Sequence, residues 1–155
     1  MIAQPLLLVA ALTSSWCHAV PLEPRSCSTL VVHAPKATLR LAVADTAARR
    51  EHGLMGVRRV PGAQGMIFAF ADGDAVRDFW MKDTITPLDM VWVRGDGVVT
   101  AIAKNVPATK PNTPDDRVAR RQGVGRYVIE LAAGESARAG IHPGTHLRIS
   151  DIRSE

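Results

Sequence analysis

The stretch LDMVWVRGDGVVTAIA, from Leu88 to Ala103, decides the fold class. Its two apolar runs flank Gly95, Asp96 and Gly97, and glycine and aspartate between such runs predict a β-hairpin. In the first run Asp89, Val91 and Val93 share one face, while Leu88, Met90 and Trp92 take the other. A strand apolar on both faces is buried on both. Asp89, first on its face, then sits at the mouth of a core. Lost hydration raises the pKa of a carboxyl there unless Lys82 or backbone donors hold it charged.

The residues immediately upstream read FWMKDTITPLDM, Phe79 to Met90, and place large apolar side chains, a lysine and two aspartates around Pro87. If DFWMK and DMVWV are adjacent antiparallel strands, a register with Met81 opposite Met90 also sets Lys82 opposite Asp89 as a cross-strand ion pair. Further outward, TLVVHA and ATLRLAVA predict two short strands joined at a turn near Pro35. DTAARREHG offers Asp45 or Thr46 as an N-cap and Gly53 as a stop, which predicts one short helix over Ala47 to His52. MIFAF, VRDFWM, RYVIEL and THLRISDI read as further strands, GESARAGI as a single helical turn ended by Gly140, and Pro107 to Gly125 as one long polar loop. About eight short strands with a single crossover helix favour a sandwich or barrel over a parallel α/β sheet. The expected fold is mainly β: a single-domain antiparallel β-sandwich with one short α-helix.

The chain has 155 residues, enough for one domain. MIAQPLLLVAALTSSWCHA contains no Asp, Glu, Lys or Arg, carries an apolar run from Leu6 to Leu12 and ends in small residues, which reads as a secretory signal cut after Ala19. So short a run does not cross the roughly 30 Å of bilayer hydrocarbon. Trp16 directly before Cys17 disfavours lipid modification of that cysteine. The expected organisation is a signal over 1–19, an N-terminal tail and first strand over 20–37, and the sandwich domain over 38–155. Cleavage leaves Cys27 as the sole cysteine, so the exported chain has no internal disulfide and rests on its core. The formal charge of +4 includes a cluster at RVARRQGVGR, Arg117 to Arg126, which lacks interleaved aromatics and follows Asp115 and Asp116. It reads as a solvated loop, and neither nucleic acid nor stable membrane insertion after cleavage is expected.

Taken together, REHGLMG (Arg50–Gly56), GMIFAF (Gly65–Phe70), FWMKDTITPLDM, GDGVVTAI (Gly95–Ile102) and YVIELAAGESARAGIHPG (Tyr127–Gly144) resemble the exported bacterial and archaeal family known as domain of unknown function 192. The resemblance runs from about Thr38 to Ile152, and the GLM, FWMK and PLD elements in this order are specific. It implies an all-β sandwich resembling a jelly roll with one short helix, and it assigns no activity. Asp83 departs from the asparagine commoner at its position, so an uncharged amide role there is in doubt.

The expected function is a non-enzymatic module binding an unidentified small molecule in a pocket formed by Met55, Trp80, Met81, Lys82, Asp83 and Asp89, an apolar wall with convergent polar groups. Two alternatives stay open. Asp83 and Asp89 are two carboxylates flanking a turn, as acid and base in sugar hydrolysis can be. Met55, Met66, Met81 and Met90 supply thioethers suited to Cu(I), although methionine more often fills gaps in a core. His33, His52, His142 and His146 share no zinc-ligand spacing, and no catalytic residue, metal or resident cofactor is expected.

Overall fold

The computed structural model describes residues 28–150. The expected signal, its cleavage after Ala19, and Cys27 lie outside the described residues. Nine strands run in chain order: β1 (Thr29–His33), β2 (Thr38–Ala44), β3 (Gln64–Ala69), β4 (Ala75–Trp80), β5 (Leu88–Val93), β6 (Val99–Val106), β7 (Arg120–Gly125), β8 (Tyr127–Ala132) and β9 (Arg148–Ile149). Two short helices, α1 (Ala47–His52) and α2 (Glu135–Arg138), and a 3₁₀ turn at Asp115–Arg117 complete the elements among the described residues. The protein is mainly β, as expected.

Seven strands form one sheet in the order β6-β5-β8-β3-β2-β1-β9, and β4 and β7 form a separate two-stranded ribbon. Among the described residues only β2 and β3 pair in parallel, and theirs is the connection that carries α1. The edges of the large sheet meet. Val98 bridges His146, the Leu147 N–H donates to the Gly97 carbonyl at 2.8 Å, and the Val99 N–H donates to the Thr145 carbonyl at 2.9 Å. The sheet therefore curls on itself, and β1 residues Leu30 and Val32 join β6 residue Val99 in one core with Leu41, Ile67, Val91, Ile129 and Leu131. All six residues of β5 are buried, as apolar character on both its faces requires.

The outer face of the sheet carries Met66, Phe68, Met90, Trp92 and Val128, and the β4/β7 ribbon lies across it. Glycine decides how closely. A Cβ on Gly123 would stand 2.5 Å from Cγ of Trp92, so only glycine lets β7 rest on the indole. The indole N–H donates to the Arg77 carbonyl on β4 at 3.1 Å, and Phe79 meets Phe68 edge to face at 4.8 Å.

Four expectations are corrected by this topology. The strand at Phe79–Trp80 pairs with Arg121 and Arg120 of β7, not with Met90–Trp92, because β6 and β8 already occupy both edges of β5. Lys82 forms its ion pair with Asp115 rather than Asp89. The last six residues of the stretch read as a long loop, with two of its three arginines, are strand β7. Of the expected strand THLRISDI, the described residues place only Arg148 and Ile149 in a strand, preceded by the bridge at His146.

Candidate functional site

Helix α1 has the expected limits. Thr46 caps it by accepting from the Arg49 N–H, and Gly53 ends it at φ 50°, donating to the Arg49 carbonyl. Six residues do not hold a helix in water alone. Tertiary contacts anchor this one: the Arg50 guanidinium donates to the carbonyls of Asp45 and Ala69 and lies 5.0 Å from the ring centroid of Phe70. Its C-terminal end points at the outer face of the sheet. A Cβ on Gly53 would meet Phe68 at 3.2 Å and a carboxyl oxygen of Glu130 at 3.9 Å.

Between this helix end, strand β4 and the sheet lies a cavity of about 250 Å³. Phe68, Leu54, Thr84 and Glu130, all nearly inaccessible to solvent, form its depth. Phe70, Phe79, Trp80 and Met55 are partly exposed walls, and Glu51 and Asp78 stand exposed at the mouth. The surrounding cations are engaged. Lys82 pairs with Asp115 and sits 5.9 Å over the Trp80 ring, and Arg120 pairs with Asp78 and sits 4.6 Å over the same ring.

Glu130 differs from every other charged group here. It stands in register between Met66 of β3 and Met90 of β5 and is 5 % exposed. Among the described residues its carboxyl has no hydrogen-bond or ionic partner, and burial pushes its pKa from 4.5 up to about 8. His52, at the last position of α1, adds a buried Nε2 that is also without a partner among the described residues.

Of the six residues expected to line a pocket, the cavity brings together Met55, Trp80 and Lys82. Met81 is fully buried in the outer-face core, with its carbonyl accepting from the Thr109 hydroxyl. Asp83 is exposed in the turn after β4 at φ 49°, a left-handed conformation that aspartate and asparagine tolerate, and its carbonyl accepts from the Gly56 N–H. The turn geometry therefore explains a residue of this type at that position. Asp89 is fully buried on the inner face. One of its oxygens accepts from the Asn105 N–H at 2.9 Å, and the other accepts from the N–H groups of Gly134 and Ser136 and the Ser136 hydroxyl at 2.6–3.1 Å. It caps α2 from a distant strand, with the backbone donors taking the part expected of Lys82. Asp83 and Asp89 thus share no cleft. Met66, Met81 and Met90 are buried in the outer-face core while Met55 stands at the cavity wall, and no group of three or more His, Cys, Asp or Glu among the described residues is placed to hold a metal.

Sequence reading passed over Glu130 and weighed His52 only as a zinc ligand. The signal was present for the first: YVIEL sets one acid on a strand otherwise apolar on both faces, the argument already applied to Asp89.

Two solved structures share this architecture. A “putative transcription regulator” from Sinorhizobium meliloti 1021 is 30% identical, with a TM-score of 0.69 over 80% of this chain and 95% of its own. A protein of unknown function from Novosphingobium aromaticivorans DSM 12444 is 28% identical, with a TM-score of 0.63 over 82% and 90%. No curated protein matches the chain. Residues 30–149, from β1 to β9, match the family DUF192, described as “Uncharacterized ACR”, and the chain belongs to that family.

Proposed function

We propose that the protein is an exported, non-enzymatic module that binds a small molecule in the cavity between the end of α1 and β4. The observation that carries this reading is a partly exposed Trp80 on a concavity whose deepest polar group, Glu130, has no partner within the described fold. A merely structural hairpin would bury the indole and leave no acid uncompensated beneath it. Export rests on the apolar, uncharged first 19 residues. The hydrolase reading finds no support in two carboxylates of which Asp83 is exposed in a turn and Asp89 is fully buried. Regulation of transcription is named for the Sinorhizobium neighbour and is not carried over, because Arg120 and Arg121 of β7 are engaged by Asp78 and by a backbone carbonyl.

The test is a thermal-shift screen of metabolites and sugars on the wild type and Trp80→Ala. A ligand that raises the melting temperature of the wild type and not of a folded Trp80→Ala supports the reading. A variant that loses the roughly 3 to 5 kcal/mol typical of a deleted core aromatic, with no ligand stabilising the wild type, sinks it. Cell fractionation and the mass of the processed N-terminus test export.

A further inference from the structure

The ligand's charge can be read from what the cavity lacks. Glu130 is held by the register of β8 between two methionines, and no donor of the described protein reaches its carboxyl. A buried acceptor left without a donor is destabilising, and the group that satisfies it must come from the cavity. The groups facing this space are Arg50, Glu51 and His52 from α1, Asp78 from β4, and Lys82 beyond it. Arg50 and Lys82 are occupied by carbonyls and by Asp115, so neither is spare to receive an anion. The aromatic walls point the same way. Phe70 already holds Arg50 and Arg77 over its face, at 5.0 and 3.9 Å, and Trp80 holds Arg120 and Lys82, so these rings accept positive charge within the protein itself.

We propose that the cavity binds an organic ammonium ion, with the charged nitrogen donating to the carboxylate of Glu130 and the hydrocarbon body against Phe68, Phe79 and Trp80. This rests on the cavity being a ligand site and adds the chemical class of its ligand. The proton balance is simple. In the empty protein, burial keeps the carboxyl protonated at pH 7. The arriving ammonium keeps its protons and the Glu130 O–H gives its proton to solvent, so the complex holds an ion pair and about one proton is released.

The experiment titrates the full-length exported protein at pH 7 calorimetrically with three probes of similar size: 2-phenylethylammonium, neutral 2-phenylethanol and anionic 3-phenylpropanoate. Each titration is run in phosphate and in the zwitterionic buffer MOPS, whose different ionisation enthalpies count the protons without adding a competing cation. The expected result is that the ammonium binds roughly 10- to 100-fold more tightly than the alcohol, with close to one proton released, and that Glu130→Gln removes both effects. The proton count needs no variant, so misfolding of Glu130→Gln would not protect the inference. Equal binding of alcohol and ammonium without proton release overturns the cation and leaves the ligand site standing. Preference for the carboxylate overturns it equally. Binding of none of the three also overturns it, and the metabolite screen then decides separately whether the cavity is a ligand site at all.

Discussion

Replacing Glu130 by glutamine removes an ionisable group from the outer-face core while keeping its size and its hydrogen-bonding amide. The wild-type carboxyl has a folded-state pKa of about 8 against an ordinary 4.5, a rise caused by burial. Because the folded value lies above the unfolded one, the folded state binds more protons between them. The stabilising contribution is then complete below about pH 4.5 and is lost as pH rises through 8. At 1.36 kcal/mol per pH unit the whole window amounts to about 5 kcal/mol. Glu130→Gln should therefore match the wild type near pH 4.5, exceed it increasingly up to about pH 8 and hold a constant margin above that. Urea unfolding of both proteins at half-unit steps from pH 5 to 9 measures this, and the difference between the curves cancels the histidines. Asp72 and Asp96, held below their ordinary 3.8 by hydrogen bonds from Arg77 and Arg94, act in the opposite direction and in a lower window. Parallel pH profiles for wild type and variant would refute the reasoning, since they would mean that Glu130 is hydrated or paired in solution.

Further substitutions test the frame around the cavity. Asp89→Asn puts an amide donor against backbone donors and should cost roughly 1.5 to 3 kcal/mol in denaturant unfolding at neutral pH; an unchanged midpoint would show that the Asn105, Gly134 and Ser136 bonds contribute nothing. Gly123→Ala drives a methyl into the Trp92 indole and should cost roughly 1 to 3 kcal/mol, with a change in tryptophan near-ultraviolet circular dichroism if the ribbon lifts. Lys82→Ala should leave the melting temperature where it was, because its partner Asp115 is solvated; a loss comparable to that of Asp89→Asn would mean that this lysine anchors the ribbon.

Local chemistry settled much of the fold from the sequence. Thr46 and Gly53 bound α1 through a side-chain cap and a positive φ, both properties of single residues and their neighbours. The glycines around Asp96 turn β5 into β6, and the two-sided apolar pattern of β5 foretold its complete burial. Pairing over long range was a different matter. β7 reads RRQGVG, with loop composition, and becomes a strand because Gly123 and Gly125 let it approach Trp92 and Val93, residues about thirty positions earlier in the chain. No pattern inside Arg120–Gly125 carries that information. The partners of Lys82 and Asp89 followed from the same cause: once both edges of β5 are taken, the two residues fall on opposite sides of the sheet, and each finds its counterpart where the tertiary fold delivers it. Sequence could have flagged Glu130 as an acid among apolar neighbours. Only the tertiary structure decides that the end of α1, stopped by a glycine with no side chain to fill the gap, leaves a cavity beside that acid and supplies no donor to it.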